Sequence, residues 1–558
     1  MKKVFSFILC SIIVFSLCGC SMGNKSGSDD TAQITIYDQN STFSGKVDGW
    51  FADILKEKFG AELSFRASSD YGFSAYVEQG FLGDIIIFSN EYDYRLVQEA
   101  GLLFDWEQHD ILSTYAPYIA ENLTDALEKN RLMNADNGIY GINGDISSSG
   151  SGHTDFTDVT YIRWDLYARL GYPEINTLED LIPVLTDMTE MAREDSPSQN
   201  IYAVSSFTSW DNKMLNMVSS TASLYGYREF GLGLYNPDKD SYEECIDRDG
   251  IYIRCLKFYN ALNRAGLIDP NSSSQSYDYA KVNYERGNAI FGLFDYITGG
   301  FNTDANMEAG KCMMPIAAKD FSNLCIQDSI YGSDYVWAIG STSKNPEICM
   351  EIINWLFTPE GALTDLYGPI GTTWDYDSNG NPYLTEFGYT CLSNTATPMP
   401  EGYNGTFEGG MIQFVCPTWN ENTTIPGADV SFNYMTWEST LNSSWYKDNY
   451  GSYEASLSEW SSYTNAATVN EYIESNGYTV WPSTTYSAKD ISQDYVISEN
   501  EIGNLIKTYS WQAIAAESDA EFDSIISELI TKCNEKEQYD DIVNFYISEL
   551  DRFKESMK

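Results

Sequence analysis

The sequence predicts an α/β protein built on a doubly wound, mostly parallel sheet. Three observations support this prediction. From Ile34 onward, strand and helix patterns alternate in the order βαβαβα, which is typical of right-handed crossover units. The run 84–88 (DIIIF) is apolar after its first residue, as expected for a parallel strand buried on both faces. No long repeat recurs along the chain, which argues against a solenoid or a propeller.

The first α/β block places two more strands and three helices around that buried strand. The helices are bounded by glycine or by a capping side chain, as Gly60 and Gly101 illustrate. The predicted strands are ITIYD (34–38) and ELSFR (62–66), and the predicted helices are 50–59, 71–79 and 90–100.

A second block continues the alternation. Thr177 with Asp180 three residues later is a capping box at the start of a helix, and TDFTDVTYIRWDLYARLG is predicted as one helix that stops at Gly171. Further strands are predicted at YGINGDI, IYAVSSF, NAIFGLF and SDYVWAIGS, and further helices at 249–265, from Pro346, and over most of 502–557.

Composition excludes several classes of function. The 558 residues carry a formal net charge of −48, with 20% charged and 43% hydrophobic residues, so the chain is globular rather than an acidic disordered polymer. This charge repels phosphate backbones and argues against nucleic-acid binding. His109 and His153 are the only histidines, which excludes a His-rich zinc site and leaves little room for a His-based triad.

The N-terminus predicts export and a lipid anchor. Lys2 and Lys3 precede an apolar run, 4–17, that is shorter than the ~20 residues needed to span a bilayer. The following Leu17-Cys18-Gly19-Cys20 resembles a bacterial lipobox. That resemblance implies a signal peptide over 1–19, diacylglycerol on Cys20, a polar tether over 20–33 and a location on the outer face of the cytoplasmic membrane. An ordinary signal peptide is the alternative.

Several stretches together resemble the family 1 extracellular solute-binding proteins, the capture subunits of ABC importers, and in particular the long-chain lipoproteins of Gram-positive bacteria. The stretches are GDIIIFSNEYDYRLVQEAGLLFDW, TYIRWDLYARLGYPEINTLEDL and KNPEICMEIINWLFTPEGALTDLYGPIGTTWDYD. The resemblance covers most of 34–380, and the segment 391–470 has no counterpart.

The resemblance implies a periplasmic-binding-protein-like fold: two α/β lobes joined by crossover strands, with a ligand cleft between them. We expect an N-terminal lobe of 34–147 plus 333–372 and a C-terminal lobe of 148–332 plus 373–558. It further implies a monomer that closes on an oligosaccharide, needs no cofactor and delivers its ligand to a membrane permease.

Polar residues follow the predicted strands, where open α/β sheets bind ligands. Amides, hydroxyls and carboxylates match the donors and acceptors of sugar hydroxyls. Helix capping is the alternative role for each of them. The candidate polar ligand-binding residues are Gln39, Asn40, Ser89, Asn90, Ser148 and Asp295.

Aromatic residues make up 15% of the chain and supply rings against which the apolar face of a sugar can lie. Tyr296, directly after a strand, matches a position where the family often has a stacking aromatic. Trp210, Trp374 and Trp437 are the other candidates, and core packing is the alternative for each.

One segment fits the twelve-residue calcium-loop pattern D-x-[DN]-x-[DN]-G-x₅-E. No helix precedes it, so a plain hairpin around the Ser-Asn-Gly turn is the alternative to a Ca²⁺ site. The candidate ligands are Asp375, Asp377, Asn379, Asn381 and Glu386.

Two further questions stay open. The eight cysteines after Cys20 contain no C-x-x-C pair, so buried free thiols are favoured over a metal site, while disulfides remain an alternative. A binding protein for peptides or another solute, a secreted glycoside hydrolase and a surface adhesion module are the rival functions. No G-x-S-x-G elbow, P-loop or dinucleotide fingerprint supports an enzyme.

Overall fold

The computed structural model describes residues 31–67, 72–154, 156–412, 414, 416–436 and 458–557. The predicted signal peptide, Cys20 and Trp437 lie outside these residues. The described chain forms two lobes, each with its own hydrophobic core.

The first lobe is built on a six-stranded sheet with the order β2-β3-β1-β4-β13-β5. Strands β1, β3 and β4 run parallel, while β13 is antiparallel to both β4 and β5. As predicted, β4 is buried along its whole length. The strands are β1 Ala32–Asp38, β2 Gly45–Lys46, β3 Ala61–Ala67, β4 Ile85–Phe88, β5 Gly141–Asn143 and β13 Val336–Ile339.

Alternate residues of the central strands face opposite sides of this sheet. Ile85, Ile87 and Trp337 belong to one apolar cluster, whereas Ile86 and Phe88 belong to the other. This follows from the two-residue period of a strand. The helices of this lobe are α1 Trp50–Phe59, α2 Phe73–Gln79, α3 Glu91–Glu99, α4 Ile111–Tyr115, α5 Pro117–Asn122, α6 Thr124–Met133, α14 Pro346–Leu356, α15 Pro359–Tyr367, α16 Glu386–Ser393 and α17 Phe407–Gly410.

The lobe boundary differs from the prediction that assigned 373–558 to the C-terminal lobe. Trp374, Phe407, Trp419 and Met435 are buried in the core of the first lobe, together with the hairpin β14 Trp374–Tyr376 and β15 Pro382–Leu384. Among the described residues, the second core resumes at Trp460. The described buried residues of 391–435 therefore pack on the first lobe, whereas Trp460 and Ala466 pack on the second.

The second lobe contains two short antiparallel sheets, the parallel pair β12–β16 and most of the long helices. Its strands are β6 Tyr161–Arg163, β7 Arg228–Phe230, β8 Gly233–Asn236, β9 Ser241–Glu244, β10 Phe291–Gly292, β11 Met313–Pro315, β12 Asn323–Ile326 and β16 Tyr478–Trp481. Its helices are α7 Trp164–Arg169, α8 Leu181–Asp195, α9 Asn216–Ser223, α10 Ile251–Arg264, α11 Tyr277–Glu285, α12 Asp295–Thr298, α13 Asp304–Glu308, α18 Val469–Asn476, α19 Gln493–Ala515, α20 Asp519–Asn534 and α21 Tyr539–Ser556.

Two predicted elements of this lobe were wrong. TDFTDVTYIRWDLYARLG contains strand β6 before helix α7, because its β-branched and aromatic residues pair with β10 and β11. IYAVSSF makes only isolated bridges, through Tyr202 and Val204, rather than a strand. The capping box at Thr177 and Asp180 is confirmed.

Two described segments connect the lobes, and they hydrogen-bond to each other. The Ser147 N–H donates to the Ser329 carbonyl at 2.8 Å, and the Asp328 N–H donates to the Gly152 carbonyl at 2.9 Å. Gly332 has φ +76°, and a Cβ there would lie 2.7 Å from Asn143 Cβ, so only glycine fits this turn.

The eight described cysteines are all free and buried. Within the described part of the chain, no helix is both long and apolar enough to cross a bilayer.

Candidate functional site

A cavity of about 590 Å³ lies between the two lobes. The first lobe contributes the start of α3 at Asn90, the second lobe contributes Arg228 and Trp481, and the connecting segments contribute Asp145 and Asp328. Cavities of this size between two lobes are typical small-ligand sites.

The second-lobe wall carries a guanidinium above an indole. The Arg228 guanidinium lies 5.0 Å from the centroid of the Trp481 ring, and Trp481 stacks in turn on Phe553 with centroids 4.9 Å apart. Arg228 is exposed to water in the cavity, and the protein atoms packed around it partly desolvate its guanidinium, which lowers the pKa of that group. Burial likewise raises the pKa of neighbouring Glu229.

The sequence analysis did not identify Arg228, Glu229 and Trp481, because β7, which carries the first two, is only three residues long. Such a strand has no recognisable period, and Trp481 lies in a strand about 250 residues away. A strong donor and a strong acceptor beside an aromatic ring can bind sugar hydroxyls and a sugar face together.

The cavity floor is acidic. Asp145, in the first connecting segment, has φ +56°, and its N–H donates to the Pro417 carbonyl at 2.8 Å. Burial is the main cause that raises the pKa of Asp145 to about 6. Burial also raises the pKa of Asp328, on the second connecting segment.

The predicted polar residues at the ends of β1 and β4 come together. Gln39 Oε1 accepts hydrogen bonds from the Ser89 N–H and hydroxyl, both at 2.9 Å. Asn90 Oδ1 accepts from the Asp93 N–H at 2.8 Å and so caps α3. Of this group only Asn90 lines the cavity, and the Asn40 N–H donates to Asp38 within its own turn.

Ser148 borders a neighbouring cavity of about 420 Å³ on the first lobe. Its N–H donates to Thr423 Oγ1 at 2.9 Å. Ser147 lines both this cavity and the main one, so the two spaces adjoin across the connecting segment.

Two predicted aromatic residues meet in an exposed aromatic cluster on the second lobe, made of Trp210, Tyr277, Phe294 and Tyr296. Trp210 stacks on Tyr277 at 4.8 Å between centroids, Tyr296 stacks on Phe294 at 5.3 Å, and the Trp210 and Tyr296 rings are 6.0 Å apart. Trp210 and Tyr296 are 42% and 43% exposed. Asp295 begins α12 and accepts from the Tyr296 N–H.

A side groove of about 290 Å³ on the second lobe shares Arg228 and Glu229 with the main cavity and also contains Asn216. Asn216 in turn borders a small cavity that Phe294 lines. Trp210, Tyr277 and Tyr296 do not line the main cavity.

The prediction that Trp374 contacts ligand is wrong for this structure. Trp374 is completely buried, and its indole N–H donates to the Gly368 carbonyl at 2.7 Å. It belongs to the core of the first lobe, which was the alternative role for every candidate tryptophan.

This architecture matches solved structures across nearly the whole chain. An HMO-binding, ABC-transporter-associated solute-binding protein from Bifidobacterium longum infantis is 14% identical, with 94% of this chain and 99% of that chain covered and a TM-score of 0.58. The chain has the solute-binding-protein fold.

Two other solved structures share the solute-binding fold at similar coverage. The S. pneumoniae ABC-transporter substrate-binding protein FusA in complex with kestose is 15% identical, with 94% of this chain and 99% of that chain covered and a TM-score of 0.57. The alginate-binding protein AlgQ2 is 13% identical, with 94% and 98% covered and a TM-score of 0.54. No family model matches the sequence, and neither does any curated protein.

In this solute-binding fold, a strap consisting of residues 482–490 fastens the second lobe to the first. Arg95, on α3, donates to Ser487 Oγ at 2.8 Å and pairs with Asp490 at 2.6 Å. Ser487 Oγ also donates to Glu91. The strap is held on its own lobe by Glu549, which accepts from the Tyr486 hydroxyl and the Lys489 N–H.

The calcium-loop pattern forms the predicted alternative, a hairpin. Asp377 Oδ1 accepts from the N–H groups of Asn379 and Asn381 at 2.8 and 2.9 Å, and these bonds lower the pKa of Asp377. Asn381 Oδ1 accepts from the Asp429 N–H. Among the described residues, no three His, Cys, Asp or Glu side chains gather at one point, and a Ca²⁺ site formed by Asp375, Asp377, Asn379, Asn381 and Glu386 stays a prediction.

Proposed function

We propose that this chain captures an oligosaccharide in the cavity between its lobes and delivers it to an ABC permease. The observation that carries the proposal is the cavity wall, where the guanidinium of Arg228 lies over the ring of Trp481 and Glu229 lines the same cavity. Hydroxyl groups need paired donors and acceptors, and pyranose faces pack on rings.

Proteins of the same fold support a carbohydrate ligand. Those compared above are described as binding HMO, kestose and alginate, respectively. They are binding proteins, so we propose capture without chemistry on the ligand.

We further propose that the two lobes close on the ligand about the connecting segments, and that the closed form docks on the permease as a monomer. Diacylglycerol on Cys20 would hold the chain on the outer face of the cytoplasmic membrane, with 20–33 as its tether. Radiolabelled palmitate incorporation that is lost in Cys20→Ala tests the anchor.

Thermal melting of residues 21–558 against plant and host oligosaccharides tests the capture proposal. A ligand at about 100 times its dissociation constant adds about 2.7 kcal/mol to the free energy of unfolding, which raises the melting temperature by several degrees. The recovered ligand should be intact. Cleaved ligand would instead favour the glycoside hydrolase, and a shift with peptides alone would favour the peptide-binding alternative.

Variants of the cavity wall locate the site. Loss of a hydrogen bond from a charged group costs about 1.5–3 kcal/mol, so Arg228→Ala should weaken binding by about tenfold or more. Arg131→Ala removes an ion pair with Glu107 outside the cavity lining and should bind as the wild type does. If both variants bind the ligand with equal affinity, Arg228 does not contact the ligand and the binding site lies elsewhere.

The aromatic cluster has its own matched pair of variants. Trp210→Ala should weaken binding of ligands long enough to reach the cluster, because a stacked ring contributes about 1 kcal/mol or more. Tyr279→Ala, on the adjacent helix and 73% exposed, is the control. Unchanged affinity of Trp210→Ala for every long ligand would confine binding to the main cavity.

A further inference from the structure

The charged groups of the main cavity are unevenly matched. Its lining includes three basic residues, Arg95, Lys129 and Arg228. It also includes twice as many acidic ones, which come from both lobes and from the connecting segments: Glu91, Asp145, Glu229, Asp328, Asp334 and Asp490.

Two of the three basic residues form ion pairs with acidic residues of the lining. Lys129, which is buried, pairs with Glu91 at 2.9 Å and also donates to the Ser333 carbonyl. Arg95 pairs with Asp490 at 2.6 Å. These pairs neutralise one side of the cavity before any ligand enters.

Arg228 is then the remaining cation, and it faces the remaining acids. Asp334 and Glu229 are the charges that act on its guanidinium. Asp145 and Asp328 lie close enough to each other for one carboxylate to disfavour ionisation of the second. The cavity lining therefore holds an excess of carboxylates over uncommitted cations.

The fold by itself does not decide the charge of the ligand. The similar structures include a kestose complex, whose ligand is uncharged, and an alginate-binding protein, whose ligand is a chain of uronic acids. The charges that line this particular cavity must decide it.

We propose that the cavity rejects oligosaccharides bearing carboxylate or sulfate groups and accepts uncharged or amine-bearing ones, and that Asp145, Glu229, Asp328 and Asp334 set this selectivity. The inference rests on the proposed function. Sugar hydroxyls donate to carboxylates without adding charge, whereas a ligand carboxylate meets like charges at close range. An amine on the ligand would compensate the excess acid.

Matched trimers test the selectivity. The probes are β-1,4-linked trimers of glucose, glucosamine and glucuronate, and α-1,4-linked trimers of galactose and galacturonate, titrated calorimetrically at pH 7 and low salt. Within a set that binds, we expect the uronate to bind at least tenfold more weakly than the neutral trimer. Added salt should reduce this difference in affinity, because it screens the repulsion between the carboxylates of the ligand and those of the cavity.

Two single variants identify the residues responsible. Glu229→Gln and Asp334→Asn should each reduce the difference in affinity between the neutral and the uronate trimer at least threefold. Glu174→Gln, an exposed acid on the outer surface of the second lobe, is the matched control and should leave this difference unchanged. Melting temperatures without ligand verify that each variant is folded.

The outcomes separate the two proposals. A uronate that binds as tightly as its neutral counterpart, or a difference in affinity that neither variant reduces, overturns the selectivity while the proposed function stands. If no trimer of either set binds, the result counts against carbohydrate capture itself and removes the basis of the inference.

Discussion

Asp365, on α15, is a half-buried residue that lines neither the main cavity nor its neighbour on the first lobe. Its Oδ1 has no hydrogen-bond partner among the described residues. Burial, with a smaller effect from Glu421, raises the pKa of Asp365 to about 8. The folded protein therefore favours the neutral acid, and ionising it opposes folding.

Asp365→Asn should remove this pH dependence. The folded-state pKa lies above the unfolded value of 3.8, so the stability present below about pH 4 is lost as the pH rises through about 8. At pH 8 we expect the free energy of unfolding of the variant to exceed that of the wild type by at least about 1 kcal/mol. Near pH 4 the two free energies should be equal.

Urea unfolding at pH 4, 6 and 8 measures this effect. Asp278→Asn, an exposed acid on α11, is the control and should follow the wild-type curve. Parallel curves for Asp365→Asn and the wild type would show that the Asp365 carboxyl is ionised in the folded state.

Among single elements, helix α1 was predicted correctly from the sequence pattern and strand β6 was not. Helix α1 matches its predicted bounds because its period, its following Gly60 and its burial all agree. Strand β6 was missed because Tyr161–Arg163 is short and reads as the start of the adjoining helix. What makes it a strand is pairing with β10 and β11, which are more than 100 residues away.

Asn260 ties helix α10 to the end of helix α19. Its Nδ2 donates to the carbonyls of Ala513, Ile514 and Ala516 at 3.0, 3.1 and 2.7 Å. Asn260→Ala leaves buried carbonyls without this partner, and we expect the free energy of unfolding to fall by about 2 kcal/mol.

Chemical unfolding measures the change, and Asn263→Ala on the same helix controls for helix propensity. A loss no larger than that of the control would mean that water replaces the Asn260 amide at these carbonyls.

The hairpin β14–β15 should not respond to calcium. Asp377 and Asn381 already accept backbone hydrogen bonds, and the motif's acids are not gathered around one point. We expect the melting temperature in millimolar Ca²⁺ to equal that in a chelator.

Asp377→Ala should destabilise the hairpin by about 1 kcal/mol through the lost turn bonds, with or without calcium. A rise in melting temperature with Ca²⁺ that Asp377→Ala abolishes would show that the twelve-residue pattern is a genuine ion site.

At the scale of the whole molecule, the strap 482–490 connects the lobes on the side of the cavity where Arg95 lies. Arg95 borders both the main cavity and a second groove of about 490 Å³ between the end of α6 and the strap, so its bonds to Ser487 and Asp490 lie between the two spaces. A contact that exists only when the lobes are close favours the closed arrangement.

Arg95→Ala should therefore open the molecule. We expect a larger radius of gyration without ligand, measured by small-angle X-ray scattering, and an affinity reduced by a few-fold, because part of the binding free energy is then spent on closure. Saturating ligand should restore the compact form. Arg169→Ala, which removes an exposed ion pair within the second lobe, should change neither quantity.

The sequence by itself determined the alternating α/β order, the buried strand β4, the helix ends at glycine and the acidic, aromatic-rich composition, because these depend on local period and residue type. It also predicted Asn90, which lines the main cavity, and Trp210 and Tyr296, whose rings are neighbours; their contact with a ligand stays a prediction. Only the tertiary structure decided that Trp374 is core, that 374–435 packs on the first lobe, and that Arg228, Glu229 and Trp481 share a wall with acids from both connecting segments. These residues are far apart in the chain, and no local pattern records which distant strands and helices pack together.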